Sequence, residues 1–339
     1  MYLQSLASAF PAARYTQREC WDFVRPAAEA NLTRRSNKVL ETVLNGASGI
    51  DTRHFAIEPS TLFGMDAQAL NNAFEREAPV LATSALEKAC HQAGVAPEAI
   101  DALFVCTCSG YLCPGVSSHL AEQAGLRPDT FLNDLSGLGC GAAIPTMHAA
   151  QGFLALQPDA LVATVAVEIC SAAYYLDDDA GVLVSACLFG DGASAALWRS
   201  HDLGNQWQAS HFRSVHLPEH REAIRFVNAG GKLRNQLHRS VPEVAGRAVE
   251  SLYAQRTGTP DAIIAHTGGR DVIEEIERRL PEYPLTDTRE TLRQHGNLSS
   301  PSVLLALENR LGRLTDEKYL WLTSFGAGFA AHSCELKRA

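Results

Sequence analysis

Apolar and polar positions change period several times along this chain. Ala102 to Cys108 is a nearly continuous apolar run bounded by Asp101 and Ser109-Gly110, and Ala160 to Val167 is a second, entered through Gln157-Pro158-Asp159. Short runs apolar on both faces predict strands buried on both sides. Leu3 to Phe10 and Ala193 to Trp198 read as further strands. Thr16 to Ala28, Glu77 to Ala93, Val116 to Ala124 and the small-residue segment ending at Leu156 carry apolar residues at helical spacing, with Gly125 as a stop signal. Strands and helices that alternate in this way imply parallel pairing covered by helices, an α/β class.

The second half is looser and then repeats the rhythm. A histidine-dotted strand (Trp207 to Leu217) leads into an irregular stretch reaching Ser240, a helix (Val241 to Gln255) and a buried strand (Asp261 to His266). Helices over Asp271 to Leu280 and Ser302 to Leu311 follow, then two strands, Tyr319 to Ser324 and Phe329 to Leu336, joined by Phe325-Gly326-Ala327-Gly328. Each half holds buried strand, helix, polar turn and strand, and each is expected to end in a Phe-Gly-containing hairpin (Phe189-Gly190, Phe325-Gly326). The expected division is two pseudo-duplicated halves, 1–200 and 201–339. Residues 29–75 are polar and mixed, and Arg34, Arg35 and Lys38 read as a solvated basic face.

Composition narrows the function classes. A net charge of −9 argues against a nucleic-acid or anionic-membrane surface, while leaving scope for a local basic rim facing a phosphorylated carrier. No run approaches the ~18 apolar residues of a spanning helix, and no basic segment precedes an apolar core at the start, so a cytoplasmic address is expected. Nine cysteines without a CxxC pair or an HExxH helix favour neither a disulfide framework nor zinc. Cys106, Cys108 and Cys113 cluster without a fourth ligand at matching spacing, so no metal is expected.

Cys140 stands apart from the other cysteines. It lies at a strand-to-helix junction between glycines, where free N–H groups and the helix dipole are expected to favour the thiolate and an acyl group can approach closely. His266 sits at the carboxyl end of a buried strand, the end at which α/β sheets gather their chemistry. Asn297 follows a glycine just ahead of a helix. A thiolate, an imidazole and an amide suit thioester chemistry: the cysteine accepts an acyl group, and the other two donate to an oxygen that gains negative charge.

Six ordered segments carry a specific resemblance: Val105-Cys106-Thr107-Cys108-Ser109-Gly110-Tyr111-Leu112-Cys113-Pro114-Gly115, Gly139-Cys140-Gly141, Leu188-Phe189-Gly190-Asp191-Gly192-Ala193, Ala265-His266-Thr267-Gly268-Gly269, Gly296-Asn297-Leu298-Ser299-Ser300 and Phe325-Gly326-Ala327-Gly328. Their order and spacing resemble chalcone and stilbene synthases, the type III polyketide synthases of the thiolase superfamily. The resemblance implies a thiolase-like fold in a layered α/β/α/β/α arrangement. It implies Cys140 as acyl carrier, His266 and Asn297 as its partners, and Phe189 as gatekeeper between the carrier tunnel and the cavity. Cys108, Cys113, Ala173, Ser185 and Ser299 are expected to line the substrate pocket. Acyl-CoA and malonyl-CoA are the implied substrates, with an acyl carrier protein as the other donor, and no cofactor is needed. The Leu112-Cys113-Pro114 loop matches one that crosses a dimer interface, so a homodimer is implied.

The departures from that family matter too. Its second phenylalanine gate aligns near Asn235. Where plant enzymes line the starter pocket with threonines, this chain has Cys108 and Ala173, and Ser185 stands at a cavity glycine. The family's basic contacts to coenzyme A fall near Leu40, Val43 and Ala47, which are apolar, so Arg34, Arg35 and Lys38 are the expected substitutes. Three other readings stay open: a single-round 3-oxoacyl carrier-protein synthase of the initiating type, a nucleotide-binding module built on Gly190-Asp191-Gly192, and a non-catalytic scaffold paralogue. Initiating synthases carry His-Gln-Ala-Asn where this chain has His-Thr-Gly-Gly.

Overall fold

A computed structural model describes residues 1–204, 206–313 and 316–338. The chain opens with β1 (Tyr2–Ala9), β2 (Arg14–Thr16), α1 (Gln17–Asn31), α2 (Arg34–Thr42), β3 (Thr52–His54) and α3 (Pro59–Leu62). Then come α4 (Ala67–Ala93), β4 (Ala102–Cys106), α5 (Val116–Ala124), β5 (Phe131–Leu135), α6 (Ala143–Leu156), β6 (Val162–Glu168), α7 (Ala180–Leu188) and β7 (Gly192–Arg199). The second half holds β8 (Trp207–His216), β9 (Ile224–Ala229), β10 (Lys232–Leu237), α8 (Val241–Tyr253), β11 (Ala262–Ala265), α9 (Arg270–Arg279), α10 (Thr286–His295), α11 (Ser302–Leu311), β12 (Tyr319–Gly326) and β13 (Ala330–Arg338).

Nine strands form one sheet in the order β11-β12-β13-β8-β1-β7-β6-β4-β5. The order contains its own repeat. In the first block β4 runs parallel to β6, β6 antiparallel to β7, and β7 antiparallel to β1. In the second block β11 runs parallel to β12, β12 antiparallel to β13, and β13 antiparallel to β8. The blocks touch at the single register pair Tyr2 with Gln208. Helices α6 and α11 pack against strands of both blocks, α4 against the outside of the first and α8 against the outside of the second. This gives the five layers α/β/α/β/α, with α6 and α11 in the middle and a continuous apolar core between the blocks around Ile144, Met147, Val303 and Leu307. No helix among the described residues is long and apolar enough to cross a membrane.

Local chemistry explains most boundaries. Thr16 and Glu19 form a reciprocal capping box at the start of α1, and Asp66 caps α4 by accepting from the Ala69 N–H at 2.8 Å. Helix α5 stops at Gly125, whose φ of +69° suits glycine. Asp66 lets α4 begin at Ala67 instead of Glu77, because its first turns are amphipathic without being strongly apolar. The mixed stretch 29–75 contains α2, which buries Leu40 against α1 and α7. The irregular stretch before Ser240 contains the β9–β10 hairpin, turned at Gly230 and Gly231; its half-buried strands lack a clean alternation. Phe189-Gly190 is not a hairpin: Phe189 ends α7, a helix the sequence reading missed between β6 and β7.

Arg53 of β3 joins these parts. It is 1% exposed, and its Nε donates to Gln17 Oε1 at 2.9 Å. Its Nη1 donates to the carbonyls of Ala186 at 2.8 Å and Phe189 at 2.9 Å. A cation facing the last carbonyls of α7 complements the negative end of that helix, and the guanidinium also lies 4.9 Å from the Phe55 ring centre. Arg53→Met keeps the apolar stem but strands two buried carbonyls, and is expected to cost about 2–4 kcal/mol. The urea unfolding midpoint measures this, at unchanged slope.

Candidate active site

Cys140 occupies a single 3-10 turn (Gly139–Gly141) between β5 and α6, and is 7% exposed. The C-terminal half holds that turn. Ser324 Oγ of β12 donates to the Gly141 carbonyl at 2.9 Å. A Cβ on Gly326 would lie 2.6 Å from Gly141 N and 2.5 Å from Leu138 O, so only glycine permits this approach.

Ser299 gathers the site. It adopts a left-handed conformation (φ +59°), costly for a non-glycine residue. Its Oγ lies 3.2 Å from each of Cys140 Sγ, Cys108 Sγ and Glu168 Oε1. Its N–H donates to Asn297 Oδ1 at 2.8 Å, and its main chain bonds to His266. The three expected catalytic residues therefore converge on one serine. Asn297 is 3% exposed, and anchoring of its Oδ1 orients an amide whose Nδ2 makes no hydrogen bond among the described residues. His266 is 1% exposed, lies edge-on to Phe325 with ring centres 5.0 Å apart, and its Nδ1 has no hydrogen-bond partner among the described residues. Phe189 and Asn297 form a parallel bridge, with Asn297 N–H donating to Leu188 O at 2.8 Å and Gly190 N–H to Asn297 O at 3.0 Å.

Glu168, fully buried at the end of β6, was not singled out from the sequence, although a charged residue closing a buried strand is the available signal. It accepts from Cys108 N–H at 3.0 Å, Ser109 N–H at 3.0 Å, Ser109 Oγ at 2.7 Å, Ser300 Oγ at 2.6 Å and Thr107 Oγ1 at 3.2 Å. The single hydroxyl proton of Ser299 serves Glu168 or the thiol at any moment, not both.

Electrostatics correct the expected resting thiolate. Burial pushes the Cys140 thiol up to about 12; the Ser299 hydroxyl opposes this and the Glu168 carboxyl adds to it. Burial also pulls His266 down to about 3. Desolvation outweighs the helix dipole here, because Cys140 lies in the turn before α6 and out of water. Burial thus disfavours both the thiolate and the imidazolium as isolated charges.

Three cavities lie near this site, with Gly139, Phe189 and Leu188 among their lining residues. A groove of about 870 Å³ is lined by Thr107, Cys108, Cys113, Gly139 and Ala327. A void of about 30 Å³ beside Phe189 takes in Ala173, Ser185 and Asn235. A third space of about 390 Å³ is lined by Val43, Leu188, Arg239, Gly269 and Arg270. Leu188 and Phe189, adjacent in sequence, thus face different cavities. The expected substitutes for the family's basic residues are not at the third cavity: Arg34, Arg35 and Lys38 are exposed on α2, with Lys38 paired to Glu41. Arg239, which makes no ion pair among the described residues, and Arg270 line it. Leu40 is fully buried in the core, and the side chain of Ala47 lies outside the described residues. The nucleotide-module reading fails: Gly192 opens strand β7, and Asp191 is buried, bonded to Ser171 and to the Ala56 N–H. Among the described residues no group of three or more His, Cys, Asp or Glu side chains is arranged to hold a metal ion.

Residues 11–251 match the model of the FAE1/type III polyketide synthase-like protein family. The chain belongs to that family. It is 29% identical to 1,3,6,8-tetrahydroxynaphthalene synthase of Streptomyces peucetius subsp. caesius, over 96% of this chain and 89% of that one. It is 28% identical to phloroglucinol synthase of Pseudomonas fluorescens, over 76% and 77%. Among solved structures, the fold matches 1,3,6,8-tetrahydroxynaphthalene synthase of Streptomyces coelicolor A3(2) (TM-score 0.88, 24% identity, 100% and 99% covered). It also matches the C-terminal type III polyketide synthase domain of Steely1 from Dictyostelium (TM-score 0.90, 21% identity, 99% of each chain). The fold is thiolase-like, and the chain is a type III polyketide synthase, an acyltransferase that forms carbon–carbon bonds by decarboxylative condensation.

Acid is expected to weaken this polyketide synthase through buried imidazoles. Burial lowers His266 to about 3, and His295 and His332 to about 4 each. Each folded value lies below the ordinary one, so the unfolded chain binds more protons as pH falls below about 6.5. The stability these groups contribute is complete above that pH and is lost on acidification, each adding up to about 1.4 kcal/mol per pH unit. His295 stacks on Phe10 at 4.3 Å, so His295→Phe keeps the ring contact and is expected to flatten the fall in melting temperature between pH 6.5 and 5.

Proposed function

We propose that Cys140 takes an acyl group from a coenzyme A thioester and that malonyl thioesters then extend it in repeated rounds. The observation that carries this is the convergence of Cys140, His266 and Asn297 on Ser299. The Cys140 sulfur attacks the thioester carbonyl as its proton moves to His266, and the departing thiol takes a proton. A malonyl thioester then loses carbon dioxide, and its enolate oxygen receives hydrogen bonds from His266 and the Asn297 Nδ2. The enolate carbon attacks the Cys140 thioester; the C–C bond forms as the C–S bond to Cys140 breaks, and the lengthened chain, now held on the malonyl donor's thiol, passes back to the Cys140 sulfur, as that thiol leaves, for the next round. No metal or redox cofactor enters these steps.

The cavity at Val43, Arg239 and Arg270 is the route we assign to the thioester arm, with Phe189 as its gate. Coenzyme A is the assigned donor; an acyl carrier protein would need a broader basic face than Arg239 and Arg270 provide. The cytoplasm, where such thioesters are at hand, is the assigned compartment. A second copy of the chain is expected against β5. That strand is the sheet edge, with Phe131 46% and Leu132 37% exposed, and bare apolar edges invite pairing. Tyr111 and Cys113 are exposed nearby along the groove.

Cys140→Ala is expected to abolish acyl loading and condensed products, read by intact-protein and product mass spectrometry, while malonyl-CoA decarboxylation persists. Asn297→Ala is expected to slow decarboxylation about a hundredfold or more; a wild-type rate in that variant sinks the assignment. Leu132→Arg buries a charge if β5 is an interface, and is expected to convert dimer to monomer in size-exclusion chromatography with light scattering.

A further inference from the structure

The void beside Phe189 carries the inference, which rests on the polyketide reading above. Ala173 and Ser185, two of the positions at which the chain departs from the plant enzymes, both line it, with Tyr174, Val182 and Asn235. Ala173 subtracts bulk and Ser185 adds it, yet the space left is about 30 Å³, room for about two water molecules. A hydrogen bond joins two of its walls. Asn235 Nδ2 donates to Ser185 Oγ at 2.9 Å with both residues buried, and the Ser185 hydroxyl donates onward to the Gly181 carbonyl at 2.7 Å. The hydroxyl is thereby used as donor and acceptor at once.

That bond ties the β9–β10 hairpin to α7. Arg234 bonded to Asp177 at 2.8 Å and Lys232 Nζ bonded to the Met65 carbonyl at 2.7 Å hold the same strand down. Phe226, the register partner of Asn235 across the hairpin, lines both the small void and the 870 Å³ groove. The hairpin is a wall between a filled space and an open one.

We infer that the Ser185–Asn235 hydrogen bond is a latch that closes the starter side of the acyl cavity. Cys140 is then primed by a short, acetyl- or malonyl-sized acyl group, and the growing chain is housed in the groove at Cys108 and Cys113. Apart from Cys170, Tyr174 and Tyr175, the remaining walls of the void, among them Phe55, Val182 and Ala186, are apolar, so space vacated by the latch would suit an alkyl tail.

The test uses the full chain with malonyl-CoA and either acetyl-CoA or hexanoyl-CoA as starter, reading kcat/KM and product masses. In the wild type, hexanoyl-CoA is expected to be at least about tenfold poorer than acetyl-CoA. Ser185→Gly with Asn235→Ala removes both partners and strands neither; a glycine inside α7 weakens that helix modestly, so circular dichroism checks that the fold is kept. It is expected to raise the hexanoyl-to-acetyl ratio of kcat/KM by about tenfold or more, and Ser185→Gly alone by less in the same direction. Equal use of both starters by the wild type, or an unchanged ratio in the double variant, overturns the latch. Absence of any condensed product from the wild type with every starter overturns the polyketide reading instead.

Discussion

Everything at the centre of this molecule follows from putting polar groups where water cannot reach them. A thiol, an imidazole, an amide and a carboxyl group lie within reach of one serine, and each is at most 7% exposed. In such a place an isolated charge is expensive, so the groups must satisfy one another. Ser299 makes this possible by accepting a left-handed backbone that turns its N–H toward Asn297 and its hydroxyl toward Cys140 and Glu168. The strain is local, and the surrounding helices hold it.

That cluster exists only where two halves meet. Cys140 comes from the first half, and His266, Asn297 and Ser299 from the second. The glycine contact between the Cys140 turn and the β12–β13 loop lets the two backbones touch without a side chain between them. Helices α6 and α11, sandwiched between both blocks of strands, convert the internal repeat into a single rigid frame. Burial of their apolar faces is the larger driving force, and the polar site takes its geometry from that packing.

Much of the frame is legible in the sequence because long buried strands and capped helices announce themselves. β4 and β11 are apolar throughout and β6 is largely so until Glu168 closes it, α5 runs to a stop glycine, and α11 spans Ser302–Leu311 as its spacing predicts. The missed elements, among them α2, α7, α10 and the β9–β10 hairpin, are short or half-buried, and their order comes from tertiary contacts that no local pattern encodes. The same division runs through the site. Cys140, His266 and Asn297 sit at junctions between elements and could be picked out one by one. Glu168, Arg53, Arg239 and Arg270 matter because of what faces them across the fold. The resting thiolate expected for Cys140 was misjudged for a related reason: a helix start is visible in sequence, and the depth of its burial is not.

The gate and the oxyanion donor share one piece of backbone, and this limits how the site can change. Phe189 and Asn297 are paired by two main-chain hydrogen bonds, and Arg53 grips the Phe189 carbonyl while its stem lies against the Gly296 backbone. A shift at Phe189 large enough to admit a bulkier thioester would therefore drag the amide that steadies the enolate. Backbone at the gate is not free to vary, whereas Ser185, Asn235 and Ala173 line the void without belonging to that pairing. Variation in what the cavity admits should accordingly accumulate on α7, on the segment before it and on the hairpin, leaving the Phe189–Asn297 bridge in place.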